Sequence, residues 1–502
     1  MERSSGIIAP LFSLPSPYGI GSLGAAAYEW IDFLAAAKQS WWQLLPVGPT
    51  SYGDSPYQSP STFAGNHYLI DLDLLVQDGL LETKELMAVE WGNDPARVDY
   101  QALYEHRLSL LALACERGWQ RDAEKIARFA QENATWLDDY ALFMAVKRHF
   151  GMVAWTDWPD EAIRLHDRKA CETYRIKLAS DVRLFVYTQY LFFQQWEELR
   201  RYAHKRGVGI IGDLPIYVAM DSADVWAEPA NFQLDELNVP TFVAGVPPDN
   251  FSATGQLWGN PLYDYEAMEA DGFGWWRRRA AGAARLFDVI RIDHFRGIES
   301  YWAVPYGATT TKGGHWVKGP GIRLVHAIKS AIGDCGLIAE DLGYLTTEVR
   351  DLLAQSALPG MKIMQFAFDS RDQDNAGIML EDYPQNCVCY VGSHDNAPIV
   401  AWAQEVQASD LAAAIKYLKA KDESDLPWAF VRAGMASKAQ LFMAQIQDYL
   451  GLGADSRINS PGILGDNWQW RLVPGQLSQS LAAHIADLTT QYERSVQHSW
   501  QQ

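Results

Sequence analysis

The stretch Val289-Ile290-Arg291-Ile292-Asp293-His294 sets three β-branched residues around one arginine and stops on a carboxylate and an imidazole. The same form, an apolar run ending in an acid, recurs four times. It appears at Val208–Gly212 into Asp213, Leu337–Ala339 into Glu340-Asp341, Ile363–Phe368 into Asp369, and Cys387–Ser393 into His394-Asp395. Helix-compatible stretches such as Trp275–Leu286 and Thr346–Ala357 separate most of them. Continuous apolar runs read as buried parallel strands, and their alternation with helices reads as right-handed βαβ units. In a (β/α)8 barrel, catalytic groups stand at the C-terminal ends of several different strands. One acid after an apolar run is ordinarily a turn or a helix cap. Five in order, two with His beside the acid, point to a multi-carboxylate site on an α/β barrel.

Outward from these runs, Ala25–Ala37 has helical spacing and leads into the apolar run Trp41–Val47, which ends at Gly48-Pro49. From about residue 77 to 206 the chain is mostly helix-compatible, broken at Trp155-Thr156-Asp157-Trp158-Pro159. No internal repeat and no Pro/Gly/Ser linker divides the chain. Residues 1–502 are therefore expected to form a single barrel with insertions, although 502 residues would suffice for about three domains. Arg277-Arg278-Arg279 and Arg200-Arg201 are expected on solvated helix faces. Aromatic and glycine-rich segments at 52–58, 245–263 and 457–470 read as loops at the barrel mouth.

Composition excludes some partners. Asp and Glu total 62 against 42 Lys and Arg, a net charge of −20. Nucleic acid and anionic membrane surfaces would both be repelled. No run of 18 apolar residues exists, and Gly6–Leu14 is broken by Pro10 and followed by Pro15 and Pro17, a poor leader. The expected location is the cytoplasm. The five Cys show no CxxC spacing, and Cys387 and Cys389 share a strand face, poorly placed to bridge. Trp, with 20 residues, is as abundant as Phe with 19. Loop Trp and Tyr beside Gly are candidates to meet the flat C–H faces of sugars, although most Trp belong in the core.

Two motifs mislead. Gly19-Ile20-Gly21-Ser22-Leu23-Gly24 matches a dinucleotide fingerprint, but Leu14-Pro15-Ser16-Pro17-Tyr18 before it is no strand. It reads as a glycine-rich turn. The strand-end acids with His294 and His394 lack HxH, HExxH or EF-hand spacing, so a metal is not expected. What remains is carboxylate chemistry without a metal. Glycosyl transfer with retention needs one carboxylate as nucleophile and a second, protonated, as general acid. Arg291 and Asp293 lie two apart and share a strand face, so the guanidinium can hold that acid ionised. Glu340 and Asp341 point oppositely, and periodicity does not say which faces the mouth.

The chain also resembles the 4-alpha-glucanotransferases of the amylomaltase (disproportionating enzyme) family, glycoside hydrolase family 77. The resemblance rests on Arg291–Gly297, Gly53–Gln58, Gly212–Val218, Asp221–Trp226, Ala244–Asp249, Gly255–Pro261, Ala339–Gly343 and His394-Asp395-Asn396, nearly the whole length. It implies a (β/α)8 barrel with largely helical inserted subdomains, no separate C-terminal β domain, and neither metal nor organic cofactor. It implies Asp293 as nucleophile, Glu340 as general acid/base and Asp395 as the carboxylate that holds the sugar. Tyr57, Asp213, Asp249, Gln256, Trp258, Arg291, His294, His394 and Asn459 would bind substrate. The implied partners are α-1,4-glucans, maltooligosaccharides and glucose as acceptor. Two positions depart from the family pattern: Asn250 where Tyr is usual, and Ala397-Pro398 where Asp-Thr is usual. An amylase-like hydrolase using the same acids and an inactive glucan-binding module are the alternatives.

Overall fold

A computed structural model describes residues 2–248, 254–343, 345–372, 376–463 and 465–496. Its strands in chain order are β1 (Ser4–Ile8), β2 (Trp41–Gln43), β3 (Gly209–Leu214), β4 (Phe242–Val246), β5 (Gln256–Pro261) and β6 (Val289–Ile292). They continue with β7 (Ser300–Pro305), β8 (His315–Lys318), β9 (Gly336–Ala339), β10 (Gly360–Ile363), β11 (Cys387–Tyr390) and β12 (Leu441–Gln445). Eight of them close a parallel barrel in the order β1-β12-β11-β10-β9-β6-β3-β2. The chain is a (β/α)8 barrel.

Strand alternation divides the core in two. Ile8, Trp41, Ile211, Val289, Ile338, Met361, Val388, Tyr390, Leu441 and Met443 fill the barrel interior. Their neighbours Ile7, Trp42, Ile210, Ile290, Leu337, Cys387, Cys389 and Phe442 face the surrounding helices. Side chains filling a closed barrel in layers leave no pore, so a site must sit at the strand ends. All five cysteines are free thiols, and four are buried. No described helix is long and apolar enough to cross a membrane.

Between β2 and β3 the chain is mostly helical, ending in the long helix Ala179–Lys205. A second insertion is not helical. Strands β5-β4-β7-β8 form an antiparallel sheet beside the barrel mouth, so 245–263 begins and ends in strands rather than in a loop. Gly and Pro around a bulge between Val243 and Gly245 obscure the strand alternation there. After β12 the described residues carry helices, the last being Gln479–Gln491.

Other expectations need correction. The run Ile363–Phe368 is not a strand: β10 ends at Ile363 and Met364–Ala367 turns into helix. Asp369 consequently points to Arg371, at 2.6 Å, and takes no part at the barrel mouth. Arg279 is buried between Trp275 and Trp276 and donates to Ile216 O and Thr62 Oγ1, not solvated as its basic run suggests. Arg200 pairs with Asp288 at 2.5 Å. The Gly19–Gly24 segment is a turn leading into the helix Ala25–Ala36, as expected. A side chain on Gly24 would collide with the Asp71 carboxylate, so packing, not a cofactor, requires the glycine.

Candidate active site

Register assembles the site. Asp213 and Arg291 are direct partners on β3 and β6, and Arg291 faces the barrel interior with Asp293 two residues on. Arg291, 1% exposed, donates from Nη1 to both Asp213 oxygens at 2.6 Å and to Asp293 Oδ1 at 3.1 Å. Its Nη2 stands 3.4 Å from Glu340 Oε2. One guanidinium thus touches three carboxylates from three strands. Asp293 N donates to Leu214 O, and Glu340 N to Ile292 O, so both acids sit on backbone that still follows the sheet.

His294 turns the chain immediately after Asp293. Its φ of 47° is left-handed, a conformation few non-glycine residues adopt, and it aims the His294 N–H at the Glu340 carboxylate. Glu340 therefore faces the mouth. Asp341 points the other way, accepting from Met361 N at 2.6 Å and pairing with Lys362 at 3.3 Å. The choice that periodicity left open is fixed by this turn.

A second group stands at the end of β11. Asn459 Nδ2 donates to Asp395 Oδ1 at 2.6 Å, and His394 Nε2 lies 3.4 Å from the same oxygen. Arg457 donates to Asp395 O at 2.9 Å and to Asn459 O at 2.9 Å, tying the 457–470 segment to the acid. Tyr57 bridges the two groups. Its hydroxyl donates to Asp213 Oδ2 at 2.7 Å and lies 2.8 Å from His394 Nε2, and its ring stacks on His394 at 14°. Trp468 closes this corner, 5.7 Å from the Tyr57 ring. On the opposite side Trp258 meets His294 edge-on at 4.8 Å and donates to Gln256 at 3.3 Å.

The structure thus brings Asp213, Arg291, Asp293, His294 and Glu340 together, and joins Asp395, His394 and Asn459 to them through Tyr57. Trp258 flanks the Asp293-His294 turn from the antiparallel sheet, with Gln256 hydrogen-bonded to it. Asp249 and Asn250 lie outside the described residues. Arg457 escaped the sequence reading as an individual residue, and Trp468 entered it only as one loop aromatic of the 457–470 segment. Their one signal was membership of the aromatic segment containing Asn459. At the Ala397-Pro398 departure, Pro398 stands at the start of the helix Ile399–Glu405 and offers no side-chain cap. Asp448, from the segment after β12, supplies it instead: its Oδ1 accepts from Ile399 N at 2.8 Å.

Electrostatics follow from burial and crowding. Burial raises the carboxyls of Asp293 and Glu340; Arg291 opposes this, and the surrounding carboxylates add to it. Burial pushes His294 down to about 3, with Arg296 adding to the shift, and also lowers His394, so both imidazoles are neutral at pH 7. Burial drives the Tyr57 phenol well above its ordinary value, leaving it a hydrogen-bond donor. Among the described residues, no group of three or more His, Cys, Asp or Glu could hold a metal ion. The arrangement offers two crowded acids whose carboxyls are raised together, and a further carboxylate, Asp395, held by Asn459 and His394.

Comparison with known proteins agrees with this chemistry. Residues 9–476 match the family model described as 4-alpha-glucanotransferase. The 4-alpha-glucanotransferase of Streptococcus pneumoniae serotype 4 is 45% identical over 495 residues, 98% of each chain. That of Thermus thermophilus is 43% identical over 505 residues, 98% of this chain and 99% of the relative. Among solved structures, the amylomaltase from Streptococcus agalactiae in complex with acarbose superposes with a TM-score of 0.95 at 40% identity, covering 98% of this chain and 100% of that one.

Proposed function

The chain belongs to the 4-alpha-glucanotransferase family, and on that premise we propose how its residues divide the reaction. The enzyme moves α-1,4-glucan segments from a donor to the 4-OH of glucose or a maltooligosaccharide, with retention at C1. Asp293 attacks C1 while Glu340 gives its proton to the leaving oxygen. Glu340, now a base, takes the proton of the acceptor 4-OH, which displaces Asp293.

The observation that carries this assignment is the sharing of one guanidinium by Asp213, Asp293 and Glu340. With so little positive charge for three crowded acids, the Asp293–Glu340 pair retains one proton at neutral pH. When Glu340 holds it, the repulsion on Asp293 falls and Arg291 keeps that carboxylate ionised. The resting pair is then an acid beside a nucleophile. Asp395, held by Asn459 and His394, binds sugar hydroxyls, and Trp258 and Tyr57 supply flat faces to the rings. Asp249 and Gln256 complete the substrate contacts.

Acarbose in the S. agalactiae relative supports the same ligand class here. Every step is a displacement or a proton transfer between carboxylates and hydroxyls, so the proposed mechanism calls for no cofactor. The free thiols support a reducing, cytoplasmic setting, with turnover of maltooligosaccharides, starch or glycogen as its context.

Incubation with maltotriose tests the reading. Transfer yields glucose and a ladder of chains longer than three units. Products no longer than maltotriose would make the protein a hydrolase, and no turnover would leave a glucan-binding module. Loss of activity with EDTA would overturn the cofactor-free mechanism.

A further inference from the structure

Trp316 lies on β8, an edge strand of the antiparallel sheet, and is 39% exposed. Its ring is held on two sides. The Arg296 guanidinium sits 3.9 Å from the ring centroid, and Trp302 meets it at 5.1 Å and 71°. Arg296 is itself buried, only three residues beyond Asp293, and donates to Ser300 Oγ at 3.1 Å. The end of β8 is fastened to the same turn, because Gly319 N donates to Glu299 O at 2.7 Å and Gly321 N to Ile298 O at 2.9 Å. The Trp316 ring is therefore rigid with respect to the nucleophile turn.

Register shows what surrounds it. Leu257 pairs with Gly245, Gly245 with Trp302, and Trp302 with Trp316, so one rung spans all four strands. Directly opposed residues share a face. That face carries Leu257 at one edge, 39% exposed, and Trp316 at the other, with Trp302 between them. Ser300 and Lys318 are the next same-face pair along β7 and β8; the Ser300 hydroxyl accepts from Arg296, and the Lys318 ammonium pairs with Glu299. A single exposed aromatic needs no explanation, but a rung of apolar side chains with a clamped indole is an ordered surface. A flat, immobile indole with polar neighbours suits the C–H face and hydroxyls of a pyranose, and its binding requires no opposite charge.

We propose that Trp316, backed by Arg296 and Trp302, is a stacking platform for α-1,4-glucan outside the carboxylate cleft. The proposal rests on the reading of that cleft as a glucan site. Its consequence is selectivity for long chains, which reach the platform while their scissile bond occupies the cleft.

The test compares kcat/KM on amylose with kcat/KM on maltotriose. In Trp316→Ala the amylose-to-maltotriose ratio falls about fivefold, the size of effect one aromatic contact supplies, and Trp316→Phe restores most of it. Tyr306→Ala, an exposed aromatic beyond β7, leaves the ratio unchanged. An unaltered ratio in Trp316→Ala overturns the proposal, including the case where both substrates lose equally. Affinity electrophoresis in amylose gels reads the platform without turnover. In a Glu340→Gln background, weaker retardation after Trp316→Ala supports it, and equal retardation overturns it. Failure of the cleft reading shows separately, as absence of transfer products with the unsubstituted protein.

Discussion

Arg291 and Asp213 face each other in register on adjacent barrel strands, and one guanidinium nitrogen donates to both carboxylate oxygens at 2.6 Å. Neither side chain is more than 2% exposed. Breaking a buried pair by removing one partner costs roughly 3–5 kcal/mol, because the other charge is left without compensation. Arg291→Leu is expected to lose about that much in denaturant unfolding. Arg291→Lys retains a charge but loses the fork that reaches Asp213, Asp293 and Glu340 together. It folds, and its transfer rate falls about 100-fold, the usual loss when an electrostatic anchor at a reacting centre is removed. A folded Lys variant with the parental rate would separate the guanidinium from catalysis.

The shared proton predicts a bell-shaped pH profile for kcat/KM. The acidic limb is uptake of a second proton by the Asp293–Glu340 pair, and the alkaline limb is loss of the first. Both carboxyls are raised by burial and by neighbouring carboxylates, so the alkaline limb lies above about pH 4, where free carboxylic acids titrate. A glycosyl fluoride donor needs no general acid at the leaving atom. With it, Glu340→Gln is expected to lose the alkaline limb and keep the acidic one within about one unit, because Glu340 is already neutral on that limb. Disappearance of the acidic limb instead would exchange the roles of the two residues.

The Ala397-Pro398 departure predicts a dependence on Asp448. This buried carboxyl, raised to about 7 by burial, caps Ile399 N from outside the helix that follows the Asp395 turn. Asp448→Ala orphans a buried N–H, a loss of about 1–3 kcal/mol. Asp448→Asn keeps an acceptor at the same place and resembles the neutral acid. Stability and kcat should therefore fall in the Ala variant and recover in the Asn variant, read by thermal unfolding and maltotriose turnover. Equal losses in both would mean that the charge, not the cap, matters.

The barrel and the central carboxylates were legible because the physics is local in sequence. An apolar run ending in an acid states both a buried strand and what stands at its end, and the two-residue spacing of Arg291 and Asp293 fixes their common face. Glu340 against Asp341 was not legible, because the choice depends on the left-handed turn at His294 and on Lys362 claiming Asp341. The antiparallel sheet escaped because its strands are short and interrupted by Gly and Pro. Arg279 escaped for a different reason: a basic triplet says nothing about which member turns inward between two indoles. Asp369 shows the reverse error, where the motif was right in form and the chain left the sheet before reaching it.

Asp288 opens the strand that Asp293 closes, about 16 Å away at 3.3 Å per residue. It accepts from Arg200 at 2.5 Å, from Ile210 N at 2.8 Å, and lies 3.0 Å from His204 Nε2. Burial pushes its carboxyl up, but His204, Arg200 and the Ile210 N–H outweigh this and hold it below the ordinary value. A carboxyl depressed in the folded state contributes stability that is complete above its unfolded value, about 3.9, and is lost as pH falls through the folded value. Asp288→Asn should therefore lower Tm at pH 7, by the few degrees that follow from about 1–3 kcal/mol in a protein of this size. The gap between variant and parent should begin to close below about pH 4 and vanish at the lower pH where the parent's folded carboxylate protonates. Turnover per folded molecule should be unchanged, since the substitution sits at the far end of β6. A Tm gap that persists undiminished at about pH 3 would assign the stability to packing rather than to the ion pair.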